Sequence, residues 1–92
     1  MFIHMSLHYP KEEYKTQLKD SMKRFKKSLE NCNGFIEGYT LEDEITGIFV
    51  WFIKWESKVQ IENNIHLAVE AIKNDDFDKW EIKPPHTFRL NE

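Results

Sequence analysis

Polar and apolar residues alternate at the start of the chain, between Phe2 and Tyr9. This alternation is typical of a β-strand with one face in the core, because successive side chains point to opposite sides of a sheet. The apolar face carries Ile3, Met5 and Leu7, and the polar face carries His4, Ser6 and His8. The pattern predicts a first strand that ends at Pro10 and whose apolar face packs against the helices.

A helical period begins at Lys11. Apolar residues then recur at intervals of three and four positions, at Tyr14, Leu18, Met22, Phe25 and Leu29. This spacing predicts a helix of about five turns with one buried face. Asn33-Gly34 predicts its end, because glycine readily takes the left-handed backbone conformation that closes many helices.

Two strands joined by a hairpin are predicted next. The first spans Phe35–Leu41, and the acidic run Glu42–Glu44 with Gly47 predicts the turn. The second, Ile48–Trp55, is apolar on both of its faces. One face carries Phe49, Trp51, Ile53 and Trp55, and the other carries Ile48, Val50 and Phe52. A strand of this composition is expected to be buried on both sides.

The last third of the chain predicts a second helix and a final strand. Ser57 and Gln60 have the spacing of a capping box, and the helix that they open should fade near Asn74. Its apolar stripe consists of Ile61, Ile65, Ala68, Val69 and Ile72. Residues 75–83 predict a short helical turn that covers an edge of the core with Phe77, Trp80 and Ile82. After Pro84-Pro85, the alternation in His86–Leu90 predicts the last strand.

The resulting order β-α-β-β-α-β predicts a single ferredoxin-like α+β domain over residues 1–92, with a four-stranded antiparallel sheet. Right-handed crossovers place both helices on one face of that sheet. The opposite face, which includes Val50 and Phe52, would then be bare, and monomers rarely expose so large an apolar patch. We therefore expect a homodimer that packs sheet against sheet as a dimeric α/β barrel.

Composition narrows the possible partners. The net charge of −3 offers no basic surface for nucleic acid. Cys32 is the only cysteine, so an intrachain disulfide is impossible and a reducing, cytoplasmic location is expected. The apolar run Phe2–Leu7 is too short for a signal or membrane-spanning segment, and no membrane partner is expected.

Three short motifs resemble one known family. A strand that ends in Trp55-Glu56-Ser57 and leads into the second helix is similar to the antibiotic-biosynthesis-monooxygenase-like group of dimeric α+β barrels. Asn33-Gly34-Phe35 with Gly38-Tyr39, and the segment Pro10–Tyr14, resemble the corresponding turns of that family. The resemblance covers essentially the whole chain and implies the same fold. It also implies a function among oxygenases that need no cofactor and act on phenols and quinones.

The resemblance further implies a pocket between the sheet and the helices for a small, flat, apolar ligand. That pocket would be lined by Tyr14, Trp51 or Trp55, and Ile65. The haem-degrading branch of the family resembles this chain in fold only. That branch uses an asparagine on the first strand and a tryptophan and a histidine on the second helix, whereas Ile3, Met5 and Leu7 are expected to face the helices here. No tryptophan occurs between Ser57 and Asn74.

Oxygenation without a cofactor requires a base that deprotonates the substrate and a polar group near the developing charge. His66 is the candidate base, and Asn64, or its neighbour Asn63, is the candidate donor to a phenolate. Trp51 or Trp55 would stack on the ring. A histidine at the border of an apolar stripe is often structural, so a non-catalytic barrel that binds a ligand or serves as a scaffold remains the alternative.

No metal site is predicted. His4 and His8 lie four residues apart on a strand, which separates them by about 13 Å, too far to share an ion. Only His8 and His86, on neighbouring strands, could meet, and this would require that both side chains lie on the same face of the sheet.

Overall fold

A computed structural model of the protein describes residues 1–92. It contains four strands, β1 (Phe2–His8), β2 (Phe35–Glu42), β3 (Phe49–Trp55) and β4 (His86–Asn91). It also contains three α-helices, α1 (Lys15–Leu29), α2 (Lys58–Ala71) and α3 (Phe77–Trp80). A 3-10 turn at Glu12–Tyr14 precedes α1, so the α-helix proper begins four residues later than the sequence indicates.

The strands form one antiparallel sheet in the order β2-β3-β1-β4. This confirms the predicted ferredoxin-like α+β architecture. The bounds of β2, β3 and β4 differ from the predicted ones by a single residue at one end of each strand. Helices α1 and α2 pack against one face of the sheet, where the hydrophobic core lies.

The core is built mainly from β3 and α1. Alternate residues of β3 are buried, as the sequence predicts: Phe49, Trp51, Ile53 and Trp55. The predicted stripe of α1 faces them with Leu18, Met22, Phe25 and Leu29, whereas Tyr14 is only half-buried. Each of these large apolar side chains is removed from water, which stabilises the fold by about 1.5–3 kcal/mol per residue.

The predicted orientation of β1 is wrong. Its helix-facing residues are Phe2, His4, Ser6 and His8, whereas Ile3, Met5 and Leu7 lie on the opposite face. Strand register explains this result, because directly opposed residues of neighbouring strands share a face. His8 lies opposite Phe49, and Leu7 lies opposite Val50. The even-numbered residues of β1 therefore accompany the buried face of β3.

The segments after α1 and before α2 follow the predicted turns only in part. Gly34 has a positive φ of +89°, but α1 ends at Leu29, so Gly34 lies in the turn that leads into β2 and does not end the helix as predicted. Ser57 is the N-cap of α2, but its hydroxyl donates to the side-chain carbonyl of Gln60 at 3.0 Å and makes no bond to the backbone. In α2 the stripe prediction is wrong at Val69, which is 56% exposed.

Residues 75–83 cover an edge of the core, as predicted, with Phe77 and Trp80. Ile82 does not take part, because it is 71% exposed. The segment is attached to the end of β1 by backbone hydrogen bonds, from Lys11 N to Trp80 O and from Ile82 N to Tyr9 O, both at 2.8 Å. These bonds carry Glu81 to the carboxyl end of β1.

The face of the sheet away from the helices has no cover in a single chain. We call it the open face, and it carries Ile3, Met5, Leu7, Tyr39, Leu41, Val50, Phe52, Phe88 and Leu90. Leu41, Tyr39 and Leu90 are 51%, 46% and 41% exposed.

None of the helices combines the length and the apolar character that crossing a membrane requires.

Candidate active site

A cavity of about 250 Å³ lies between the sheet and the helices. One wall is polar and comes from neighbouring residues of β1 and β4, His4, Ser6, His8 and Thr87. The rest of the lining is largely aromatic, with Trp51 beside Ser6 in the sheet, Phe25 on α1 and Phe77 on α3. The wall residues of β1 belong to the polar face, which was predicted to point away from the helices. A cavity of this composition can hold a flat apolar molecule and offer it several polar groups on one side.

His8 is the most constrained polar residue of the cavity. It is 5% exposed, and its Nδ1 lies 3.1 Å from Oε1 of Glu81, which is also 5% exposed. The same carboxylate oxygen accepts from the backbone N–H of Tyr9 at 2.9 Å. Because an ionised carboxylate only accepts hydrogen bonds, it places the imidazole proton on Nδ1. A neutral His8 therefore carries no proton on Nε2, which keeps its lone pair.

Nε2 of His8 has no hydrogen-bond partner and is buried. The imidazole ring is stacked on the indole of Trp51, with centroids 4.3 Å apart and planes inclined by 17°. The stack and the bond to Glu81 fix the ring from two directions. An unpaired buried nitrogen is costly in free energy, and a ligand that donates a proton or a hydrogen bond to it would remove that cost.

His4 is the second histidine of the polar wall. Its Nδ1 is also buried and unpaired, and its ring lies edge-on to Phe25 with centroids 6.1 Å apart. Burial lowers the pKa of His4 below its usual 6.5, and the positive charge of Arg89 lowers it further. The cause is that both effects disfavour the imidazolium form. His4 is thus a neutral group near neutral pH, able to donate or accept a hydrogen bond.

A second cavity of about 350 Å³ adjoins the first, since both are bordered by His4 and Thr87. It lies between α2 and β4 and is lined in addition by Ile61, Glu62, Ile65 and Arg89. Thr87 shares a hydrogen bond with Ser6 at 3.2 Å. The polar wall is therefore continuous from His8, deep in the fold, to Arg89 near the surface.

The residues that the sequence singled out are dispersed. Trp51 borders the first cavity and Ile65 the second. Trp55 is fully buried against Phe35 and borders neither cavity. Tyr14 also borders neither cavity and lies under the ammonium group of Lys79.

His66 and Asn64 are not brought together in either cavity. His66 is exposed on α2, and Asn64 is half-buried with its side-chain amide donating to the backbone carbonyl of Gln60 at 2.7 Å. Their catalytic roles stay a prediction from the sequence. The geometry favours His8, whose ring is buried, oriented and adjacent to a cavity.

Sequence reasoning did not find His8 and Glu81 as a pair. They are 73 residues apart, and Glu81 lies in the segment whose structure was least predictable. The polar face of β1 would have indicated His8 as a site residue if it had been assigned to the helix-facing side of the sheet.

His8 and His86 lie on opposite faces of the sheet, because His86 is paired with Leu7. No three His, Cys, Asp or Glu side chains are arranged to hold a metal ion.

Comparison with known proteins identifies the fold. The sequence matches no protein-family model and no curated protein. Solved structures are similar over nearly the whole chain. Rv0793 from Mycobacterium tuberculosis is 11% identical, with a TM-score of 0.84 over 99% of this chain and 93% of its own. A putative antibiotic biosynthesis monooxygenase from Nitrosomonas europaea is 9% identical, with a TM-score of 0.77 over 100% and 98%.

A mutant of MhuD, solved with two manganese protoporphyrin IX molecules per active site, is also similar. It is 12% identical, with a TM-score of 0.76 over 100% of this chain and 94% of its own. At these identities the likeness establishes the fold alone. The chain has the antibiotic-biosynthesis-monooxygenase-like fold that its motifs resemble.

Proposed function

Because the chain has this fold, we propose that it is a homodimeric oxygenase that needs no cofactor and oxidises a small, flat phenol. The ligand would bind in the cavity between the sheet and the helices. His8, rather than His66, would remove its proton. The observation that carries the proposal is the buried His8–Glu81 pair, which leaves Nε2 of His8 unpaired beside an aromatic cavity.

The pair has the features of a general base. A carboxylate that accepts from Nδ1 holds the ring in one tautomer and stabilises the imidazolium that forms when Nε2 takes a proton. Its burial removes the competing hydrogen bonds of water. An exposed histidine such as His66 would have no such orientation.

Proton removal is the step that makes a cofactor unnecessary. A phenolate, or the carbanion in conjugation with it, is electron-rich enough to react with O₂ directly. One oxygen atom then enters the ring as a carbonyl, the other leaves as water, and the substrate supplies all four electrons as it becomes a quinone. In this scheme the protein contributes the base, orientation and exclusion of water. Trp51 and Phe25, whose ring centroids are 4.9 Å apart, would contact the ring of the substrate.

Haem chemistry fits this chain less well. In the structure, the helix-facing residues of β1 are Phe2, His4, Ser6 and His8. The asparagine that the haem-degrading pattern has on this strand is therefore absent. His66, the histidine on α2, is exposed. These residues do not fit the haem-degrading pattern.

The homodimer belongs to the same proposal. Nine apolar residues of the open face, together with Glu37, Lys54 and His86, would be covered by the same residues of a second copy in a two-fold arrangement. The opposite face of the sheet is already covered by α1 and α2. Sheet-on-sheet packing would thus bury both sides of β3 and leave each cavity within its own protomer.

Oxygen consumption tests the function. Purified protein would be given polycyclic phenols and hydroquinones, and uptake of O₂ and formation of quinone would be measured. With a substrate that is turned over, His8→Gln should lower the rate about 100-fold or more, the usual contribution of a general base. Glu81→Gln should lower it as well, by disturbing the tautomer of His8. Thermal unfolding of each variant would separate a loss of chemistry from a loss of fold.

His66→Gln and Asp78→Asn complete the design. Asp78 is exposed, three residues from Glu81, and serves as the matched control for loss of a carboxylate in this segment. A rate that falls with His66→Gln but not with His8→Gln would move the base to α2 and contradict the proposal. Tight binding of a phenol without oxygen uptake would instead favour the non-catalytic, ligand-binding barrel.

A further inference from the structure

The second cavity is bordered by a cationic residue, Arg89, that takes no part in the proposed deprotonation. Arg89 lies on β4 directly opposite His4 of β1, so both side chains start on the helix-facing side of the sheet. Arg89 borders the cavity, and its side chain is 54% exposed. It is therefore within reach of both a ligand and solvent.

The only anion beside Arg89 holds it weakly. Nη2 of Arg89 lies 3.5 Å from Oε1 of Glu62, at the outer limit of a hydrogen bond. The carboxylate of Glu62 is itself 50% exposed, and such exposed pairs contribute little free energy. The remaining N–H donors of the guanidinium, a fork suited to a carboxylate, are free to bind a ligand. The group also lies over the ring of Phe2 at 5.5 Å, which limits where it can turn.

The surroundings suit one end of a long, flat anion. His4, beside Arg89, has an unpaired buried Nδ1, and Thr87 adds a hydroxyl between the two cavities. His8 and His4 are four residues apart on one strand, about 13 Å at the usual rise per residue. After allowance for a hydrogen bond of about 3 Å at each end, this leaves the length of two or three fused rings.

We propose that the substrate is an aromatic hydroxy acid, whose hydroxyl meets His8 and whose carboxylate binds Arg89 at the mouth between α2 and β4. This inference rests on the proposed function, because it names the substrate class of the same site. Glu62 competes with the ligand for Arg89 and thereby sets the strength of the preference. Neutral phenols of the same size bind without this contact.

The test compares two probes that differ in one group, 6-hydroxy-2-naphthoate and 2-naphthol. Their binding to the unmodified protein would be measured by titration calorimetry at low ionic strength. The acid should bind about two- to fivefold more tightly, the range usual for an ion pair of a half-exposed guanidinium. Arg89→Gln should remove the preference while leaving the affinity for 2-naphthol unchanged. Glu62→Gln should increase the preference, because it removes the competing carboxylate.

Lys27→Gln is the control for net charge, since Lys27 is exposed on α1 and borders neither cavity. An equal loss of preference in Lys27→Gln and Arg89→Gln would overturn the inference, because the effect would then be long-range charge. Equal affinities of the two probes for the unmodified protein would overturn it and leave the oxygenase proposal standing. Failure of both probes to bind would overturn both. A preference that depends on Arg89, without oxygen uptake by any substrate, would support the carboxylate site and count against the oxygenase alone.

Discussion

Individual side chains on β1 have environments that their neighbours in the sequence do not reveal. His8 and His4 both face the helices, but His8 has a carboxylate partner and His4 has none. This difference gives the two residues different roles. His8 is held in one tautomer, whereas His4 is kept neutral by burial and by the charge of Arg89, which together lower its pKa.

The lowered pKa of His4 makes stability depend on pH. In the unfolded chain His4 has its usual pKa of about 6.5, so between the two values the unfolded chain binds more protons than the folded one. The stabilisation is fully present above about pH 6.5 and is lost as the pH falls toward the folded pKa. Urea unfolding from about pH 7.5 to 5 should show a decrease that is shallower in His4→Gln. His66→Gln, exposed on α2, is the control. Identical slopes for His4→Gln and the unmodified chain would refute this assignment.

At the scale of elements, a few side-chain and backbone hydrogen bonds connect segments that are far apart in the sequence. Arg24 of α1 donates to the carbonyl of Ala71 at 2.9 Å and makes two bonds to the carboxylate of Asp75, at 2.9 and 3.1 Å. It thereby joins α1 to the connection between α2 and α3. The backbone carbonyl of Gly34 accepts a hydrogen bond from the backbone N–H of Glu56 at 2.8 Å, which joins the start of β2 to the end of β3.

Gly34 should be the least replaceable glycine of the chain. Its φ of +89° disfavours any other residue, and a Cβ at this position would overlap with the side chain of Gln60. Gly47 is the matched control, with a φ of +76° but only the flexible end of Lys15 nearby, at 3.2 Å. Gly47→Ala should cost about 1 kcal/mol for the left-handed backbone, and Gly34→Ala about 2 kcal/mol or more. Chemical denaturation would measure both. Equal costs would mean that Gln60 moves aside freely.

At the scale of the whole molecule, the two faces of the sheet have different surroundings. One is covered by α1 and α2, and the open face, which is largely apolar, has no cover in the single chain. In the proposed dimer this second face is also buried. The polar wall of the cavity and the apolar open face are then two sides of the same strand, β1.

Val50→Asp should dissociate the dimer. The substitution would place a charge in a dry interface at a cost of several kcal/mol. Analytical ultracentrifugation at fixed protein concentration should show a shift from dimer to monomer or loss of the folded species. Val59→Asp is the control, because Val59 is 61% exposed on α2 and should leave the dimer intact. A Val50→Asp protein with the mass and stability of the unmodified dimer would contradict sheet-on-sheet assembly.

The sequence alone determined the order of the elements and the bounds of the strands to within a residue, whereas the ends of α1 and α2 differ from the predicted ones by three residues or more. Local periodicity carries this information, because a strand repeats every two residues and a helix about every 3.6. It also determined the buried face of β3, where four large residues share one side. The pattern of β1 was equally clear, but it was assigned to the wrong side. Alternation shows that two faces differ, whereas the pairing of Leu7 with Val50 decides which face meets the helices.

Only the tertiary structure decided the candidate site. The polar face of β1 lines a cavity, and its partner Glu81 arrives from 73 residues away on a segment with weak local signals. Conversely, His66 lies beside an apolar stripe in the sequence, but its side chain is exposed. The physical reason is the same in both cases. Burial and hydrogen bonding at a site depend on residues brought together from distant parts of the chain, and local periodicity carries no information about such neighbours.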